Sequence, residues 1–372
     1  MGKLRSCLAG GGYSSETDIF IHFPLRVSSR GEPEVFEGAT VNLHRLRVRA
    51  LFGENYFSML MTVLVPTYKR PDYLERCLAG IESQTRRADE VVIAVREDDS
   101  ETLALLGAWK ERLPLRPVML GRPGQVFAMN ASCVAANGDI ISATDDDAVP
   151  QAEWLERIEK LFLSDDLIGA VGGRDILRAG GDIPTGSTQI VGRIMPYGRF
   201  IGNHHAGAGP LREVDHLKGV NMSWRTKAAG KQPFATDLHG KGAQVFQELA
   251  FCFRLDRAGW KVVYDPAILV DHYVAVRFDE DNRAQRNMIA LENAAFNFYL
   301  SFLRDRKPGW KRFAALAWAR LIGIRDMPGI VREAFAILRG DARGKAAAAA
   351  ARSAWREARK YAANPRPLNL AG

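Results

Sequence analysis

Residues 139–155, DIISATDDDAVPQAEWL, decide how this chain folds. The apolar run from Ile140 to Ala143 reads as a buried strand, and Asp145, Asp146 and Asp147 follow it directly. Adjacent like charges repel and their burial is costly, so their place at a strand end needs a reason. Solvated surface charge is the plain reading of any acidic triplet. The sequence around this one favours another.

Upstream, MLMTVLVPTYKRP (59–71) is an apolar, β-rich run from Leu60 to Val65 stopped by Pro66, which predicts a buried parallel strand. Leu74, Cys77, Leu78 and Ile81 then recur at helical spacing, predicting a helix over 72–84. EVVIAV (90–95) predicts a second strand, followed by the polar loop REDDSE, a helix through Trp109 and a short strand at 118–120. GQVFAMNASCVAANG (124–138) reads as a helix ending at Gly138, just before the strand with the aspartates. This alternation implies an α/β fold with a doubly wound, mostly parallel sheet. Such sheets hold ligands in the crevice at the C-terminal ends of their strands. The aspartates belong to that crevice, together with Pro66-Thr67-Tyr68 and the segment Arg96 to Asp99. Carboxylates converging there are tolerated when a divalent cation neutralises them. Hard oxygen ligands suit Mg2+ or Mn2+, and such a cation suits a pyrophosphate.

Composition narrows the class. With 372 residues and 47% hydrophobic content, the chain can hold one large α/β domain with an appendage, or two smaller domains. Cys7, Cys77, Cys133 and Cys252 are far apart and form no CxxC pair, so neither a zinc site nor a disulfide framework is suggested, and a reducing compartment is expected. The apolar runs fall short of the roughly 18 residues a membrane span needs. The N-terminus also lacks the order of a signal peptide, so a cytoplasmic location is expected. The net charge of +8 is uneven: Arg304 to Lys360 carries fifteen Lys and Arg against five Asp and Glu, or +10. A nucleic-acid binder more often spreads basic residues over its folded domain among aromatics, so nucleic acid is not an expected partner.

Residues 1–58 differ from the rest, with Gly-rich and polar patches and no sustained period. Because Met59 and Met61 precede the first strand, two readings stand: a native start near Met59, with 1–58 a non-native or disordered extension, or an ordinary N-terminal extension. The expected organisation is 1–58 extension, 59–280 catalytic domain, 281–345 basic amphipathic helices, and 346–372 an Ala/Arg-rich tail.

The order VPTYKRPDYLERCLAGI, then Arg96 and Asp98, then Asn130 ahead of ANGDII, then TDDDAVPQAEWL resembles the inverting glycosyltransferases of family 2 and their GT-A nucleotide-sugar fold. The resemblance covers about residues 60–275. A lone DxD is weak, but these motifs in this order are specific. Aligning the proline of AVP makes Asp145 and Asp147 the DxD pair, implied to hold the Mn2+ or Mg2+ that binds the donor diphosphate, with Asp146 between them. The resemblance puts the donor against Pro66, Thr67, Tyr68 and Arg70, then Arg96, Asp98 and Asn130, and against Asp145 and Asp146. This chain has REDDS where many members carry Asp-Asp-Gly-Ser, which leaves open whether Arg96, Asp98 or Asp99 contacts the base.

Downstream, KGVNMS (218–223) resembles the family segment lining the acceptor and donor sugar, implicating Gly219, Asn221 and Trp224 just beyond it. The family's acidic pair before a helix reads Gln247-Glu248 here, which implies Glu248 as general base and Gln247 beside the sugar. Inversion by direct displacement requires one such base to take the acceptor hydroxyl's proton. Without the resemblance, a carboxylate at a helix N-terminus favoured by the macrodipole explains Glu248. His272, after the apolar strand ILVDHY, is a candidate third metal ligand beside Asp147. Arg254 is expected to pair with a carboxylate, and Trp224 suits either a sugar face or the core.

From 281 to about 339 the chain is helical and rich in Arg, Ala and Leu. In GIVREAFAILRG, Val331, Phe335 and Leu338 share a face with Ile330, Ala334 and Ile337, while Arg332, Glu333 and Arg339 face away. Basic amphipathic helices bordered by Trp suit the anionic inner face of a membrane, and a polyprenyl-linked or other glycan acceptor fits that residence. Helices packed on the catalytic domain with a solvated basic face are the alternative. A catalytically silent GT-A scaffold, or a nucleotidyltransferase lacking its usual Gly-rich loop, are the competing functions.

Overall fold

The first strand of the sheet, β1 (Met61–Pro66), shows why this sequence folds as it does. Its side chains alternate between two buried layers. Met61, Val63 and Val65 face a core with Leu74, Cys77, Ile81 and Trp154. Leu64 faces the opposite core, with Val126, Met129, Cys133 and Phe251. An interior strand buried on both faces is a continuous apolar run, which is what the chain supplies. The computed structural model describes residues 59–178, 186–275, 287–324 and 327–364, so the expectations for 1–58 and for 365–372 lie outside the described residues.

Helix α1 (Pro71–Glu82) starts with proline at its first turn and buries Leu74, Cys77, Leu78 and Ile81, the face its periodicity predicts. Then come β2 (Glu90–Arg96), α2 (Ser100–Trp109), β3 (Leu115–Leu120), α3 (Gln125–Ala135) and β4 (Ile140–Thr144). Strands β3, β2, β1 and β4 lie side by side in parallel. The second half supplies β5 (Ala148–Pro150), α4 (Trp154–Ser164), β6 (Ile168–Leu177), β7 (Arg212–Glu213), β8 (Asn221–Arg225), α5 (Gln247–Arg257) and β9 (Lys261–His272). The full sheet runs β3-β2-β1-β4-β8-β6-β9-β5, with β7 on β9. β6 and β9 are parallel, but β8 is inserted antiparallel between β4 and β6.

Helices α6 (Met288–Leu300), α7 (Trp310–Leu321), α8 (Ile330–Leu338) and α9 (Ala342–Ala363) follow. Phe296, Phe298 and Phe302 pack with Leu249 and Phe253 of α5 and with Ala351, Ala354 and Ala358 of α9. The Ala/Arg stretch read as the start of a tail is therefore a docked helix that runs through residue 345. Its alanines carry no side-chain entropy to lose and let the helix approach the aromatic layer closely.

Candidate functional site

β1, β2 and β4 end at one edge of the sheet, and the loops leaving them tie themselves together. Asp99 is buried; it caps α2 by accepting from the Thr102 amide at 3.2 Å and accepts the Lys69 amide at 2.5 Å. The turn after β1 is thus held by the residue after Asp98, which leaves Asp98 exposed and Asp99 committed to structure. Tyr68 lies between cations, with the Arg96 guanidinium 5.3 Å and the Lys69 ammonium 5.2 Å from its ring centre. Arg96 in turn pairs with Asp98 at 3.2 Å.

The three aspartates separate by orientation. Asp146 points inward and is 1% exposed; it accepts from the Thr67 hydroxyl at 2.8 Å and pairs with Arg70 at 2.9 Å. Burial lifts its carboxyl to about 7 against the pull of Arg70. Asp147 faces β9: its Oδ2 accepts the Ala275 amide at 2.8 Å, and its Oδ1 lies 3.5 Å from His272 Nε2. The Tyr273 amide donates to the Asp147 carbonyl at 2.8 Å, so the end of β9 is fastened to the acidic turn. Burial pushes Asp147 up, but His272, the Ala275 amide and Arg70 outweigh it and hold the carboxyl well below the usual range.

Asp145, Asp147 and His272 each offer a ligand atom, and these atoms lie within 4.8 Å of one another. Asp147 Oδ1 is buried without a hydrogen-bond partner, so an acceptor faces the space between them. Two carboxylates and an imidazole fit a divalent cation. Behind His272, its Nδ1 lies 3.3 Å from Asp175 Oδ2, and Lys218 Nζ pairs with the same oxygen. Burial opposes the charged imidazole, yet its two carboxylate neighbours raise it to about 8. Sequence reasoning missed Asp175. The signal was present, since IGAVGGRDIL is another apolar strand with a carboxylate near its C-terminal end.

Across the crevice, Pro66, Asp145, Gly219, Gln247 and Glu248 line one pocket. Residue 246, the cap of α5, has φ of +73°, a left-handed conformation unusual for phenylalanine, and it presents Gln247 and Glu248 at the helix start. Gln247 is buried and its Oε1 has no hydrogen-bond partner.

Six of the residues singled out from the sequence take structural partners. Trp224 is fully buried and packs edge-on against Phe234 and Phe251, so it belongs to the core and offers no face to a sugar. Asn221 accepts from Trp154 Nε1 at 2.9 Å and donates to the Ile268 carbonyl at 3.0 Å, stitching the sheet to α4. Both sit on β8, whose central position buries both of its faces. Asn130 exchanges two hydrogen bonds with the Phe234 backbone, at 2.8 and 2.9 Å, and so clamps a loop. Thr67 gives its hydroxyl to the buried Asp146, so both residues hold the turn after β1. Arg254 also differs from expectation, donating to the Pro233 and Ala250 carbonyls.

Sheet order, the antiparallel β8 and an acidic turn facing a helix-borne carboxylate define the GT-A class of nucleotide-sugar folds. Residues 59–288 match the family described as "Glycosyltransferase like family 2". The chain belongs to glycosyltransferase family 2, which sets aside the nucleotidyltransferase reading. It is 29% identical over 121 residues to the uncharacterized glycosyltransferase alr2836 of Nostoc sp., covering 32% of this chain and 38% of the relative. Over 102 residues it is 31% identical to the amylovoran biosynthesis glycosyltransferase AmsE of Erwinia amylovora, covering 26% of this chain and 38% of the relative. Each match thus spans well under half the relative's length. The structure of GalNAc-T7 with UDP, GalNAc and Mn2+ superposes with a TM-score of 0.52 at 12% identity, covering 66% of this chain and 48% of that one.

Proposed function

We propose that this protein is an inverting glycosyltransferase that moves a sugar from a UDP-sugar to a hydroxyl of a lipid-linked glycan acceptor, working at the inner face of the cytoplasmic membrane. The observation that carries the reading is that Glu248 and Asp145 line one pocket with Gly219 between the two chain segments. Direct displacement needs two acidic stations with separate duties, and these are separate. Glu248 takes the acceptor hydroxyl's proton as the oxygen attacks the anomeric carbon; the bond to the diphosphate oxygen breaks, and the nucleoside diphosphate leaves.

Asp145, Asp147 and His272 would hold the divalent cation, which when bound stabilises charge on the departing diphosphate. An imidazole among the donors favours Mn2+ over Mg2+, which prefers oxygen alone. Tyr68, Arg70, Arg96 and Asp98, at the strand ends, would meet the nucleotide, and Gln247, which lines the same pocket as Glu248, would meet the sugar. The similarity to an amylovoran biosynthesis glycosyltransferase supports the glycan acceptor.

The test is Glu248→Gln. Transfer should collapse while a Mn2+-dependent thermal shift by UDP persists, and the wild-type product should carry the inverted anomeric configuration by NMR. Unchanged turnover would remove Glu248 from the mechanism. Absence of a shift with UDP, GDP, dTDP or CMP would favour the scaffold reading instead.

A further inference from the structure

Helix α8 is amphipathic but mounted with its apolar face outward. Its buried residue is Ala336, whereas Phe335 is 54%, Ile337 58% and Leu338 82% exposed. At about 100° per residue, Ile330, Val331, Ala334, Phe335, Ile337 and Leu338 occupy one arc roughly 160° wide, with Ala336 opposite its centre. On the side of the helix that carries Ala336, Glu333 is half-buried while Arg332 stays exposed. Arg332 donates to the Ile324 carbonyl at 2.7 Å, and Glu333 pairs with Arg352 of α9. The preceding helix repeats the inversion: α7 buries Ala314, Ala315 and Ala319 and leaves Trp310, Phe313 and Leu321 exposed. Surface helices of a globular domain do the opposite, and a contiguous exposed apolar face marks an interaction site.

The charge around this face identifies what covers it. Beside the arc, Arg332, Arg339 and Arg343 line a cleft of about 590 Å³ with Phe335, the buried Ala336 and one acidic residue, Asp341. The sequence from Arg304 to Lys360 carries fifteen basic residues against five acidic ones; Arg304, Arg306, Lys307 and Lys311 pair with Asp237, Asp215 and Asp256, whereas Arg339 and Arg343 stand exposed. Two copies meeting through such a surface would oppose like charges, and protein interfaces exclude charge from their cores. Apolar side chains bordered by arginine, with Trp at the margin, match the headgroup and upper acyl region of an anionic bilayer. No helix among the described residues is long and apolar enough to cross a membrane.

We propose that the outward faces of α7 and α8 form a monotopic docking surface for an anionic phospholipid bilayer: Trp310, Phe313, Ile337 and Leu338 enter the interface, and Arg339 and Arg343 meet lipid phosphates. This deepens the membrane residence proposed above by assigning it a surface, and it stands on exposure and charge apart from the catalytic reading.

The test is flotation of the full chain with phosphatidylcholine vesicles, with and without phosphatidylglycerol, at physiological salt. Wild type should float with the anionic vesicles and remain behind with the zwitterionic ones. Ile337→Ser/Leu338→Ser, at exposed positions where folding is not at stake, should weaken vesicle binding at least about tenfold. Arg339→Gln/Arg343→Gln should abolish the preference for anionic lipid. Both pairs should keep the wild-type thermal shift with UDP and Mn2+, which separates failure at this surface from failure of the donor site. Wild type that ignores anionic vesicles overturns the proposal, as does binding unaltered by both pairs. Concentration-dependent dimerisation that the serine pair abolishes, without vesicle binding, assigns the face to a second copy and also overturns it.

Discussion

A Cβ atom at Gly219 would lie 2.8 Å from Oε1 of Glu248, closer than carbon and oxygen tolerate. The absence of a side chain at 219 lets the carboxylate of α5 stand beside the turn that precedes β8. Gly219→Ala should therefore displace Glu248 and lower kcat on the order of 100-fold, while the UDP and Mn2+ thermal shift is retained. An alanine variant with wild-type kcat would show that the carboxylate need not occupy that position.

Asp175 touches the candidate metal site only through His272. Outer carboxylates of this kind set the orientation of a ligating imidazole, and their loss typically weakens metal binding about 10- to 100-fold. Asp175→Asn should show that loss in a Mn2+ titration followed by EPR, and Asp147→Asn a larger one. Equal Mn2+ affinity in wild type and Asp175→Asn would leave Asp175 a purely structural partner of Lys218.

Trp224 separates a core role from a sugar-binding role. Trp224→Ala should cost about 3–5 kcal/mol of stability in urea unfolding, because a fully buried indole leaves a cavity. Trp224→Phe should recover much of it, and KM for donor and acceptor should stay near wild type in both. A raised KM with unchanged stability would return Trp224 to the sugar site.

Stability should fall in mild acid. His204 and His216 are each 5% exposed, and burial depresses them from 6.5 to about 3 and about 4. Their neutral form is the one the fold accommodates, so their own contribution is complete above pH 6.5 and drains away as the unfolded chain protonates first. Each buried neutral histidine costs roughly 1.4 kcal/mol per pH unit below 6.5, until its own folded value is reached. Urea midpoints measured between pH 7 and pH 4 should decline accordingly, and less steeply in His216→Gln. A His216→Gln profile no shallower than that of wild type would mean that this ring is solvated.

The strands and helices of the first half were legible because their cause is local. A run such as MTVLVP is apolar throughout, and Leu74, Cys77, Leu78 and Ile81 fall on one helical face, whatever the rest of the chain does. The acidic triplet at the end of β4 was legible for the same reason, since a strand end is a feature of consecutive residues. The face that α8 presents to its surroundings was not: its apolar arc was visible, but an apolar arc reads as core until packing shows which side is turned inward.

Adjacency in sequence determined which residue types stand at the strand ends, and so the class of chemistry. Only the tertiary structure decided how Asp145, Asp146 and Asp147 divide, with Asp146 turned inward to Thr67 and Arg70 and Asp147 turned to His272. It also decided that Asn221 and Trp224 are interior, because β8 enters the sheet antiparallel between β4 and β6. Asp175 reaches His272 from 97 residues away, by a strand pairing that no local pattern encodes. Contacts between residues far apart in the chain depend on which strands become neighbours, and that is settled by the burial of whole faces rather than by any short stretch.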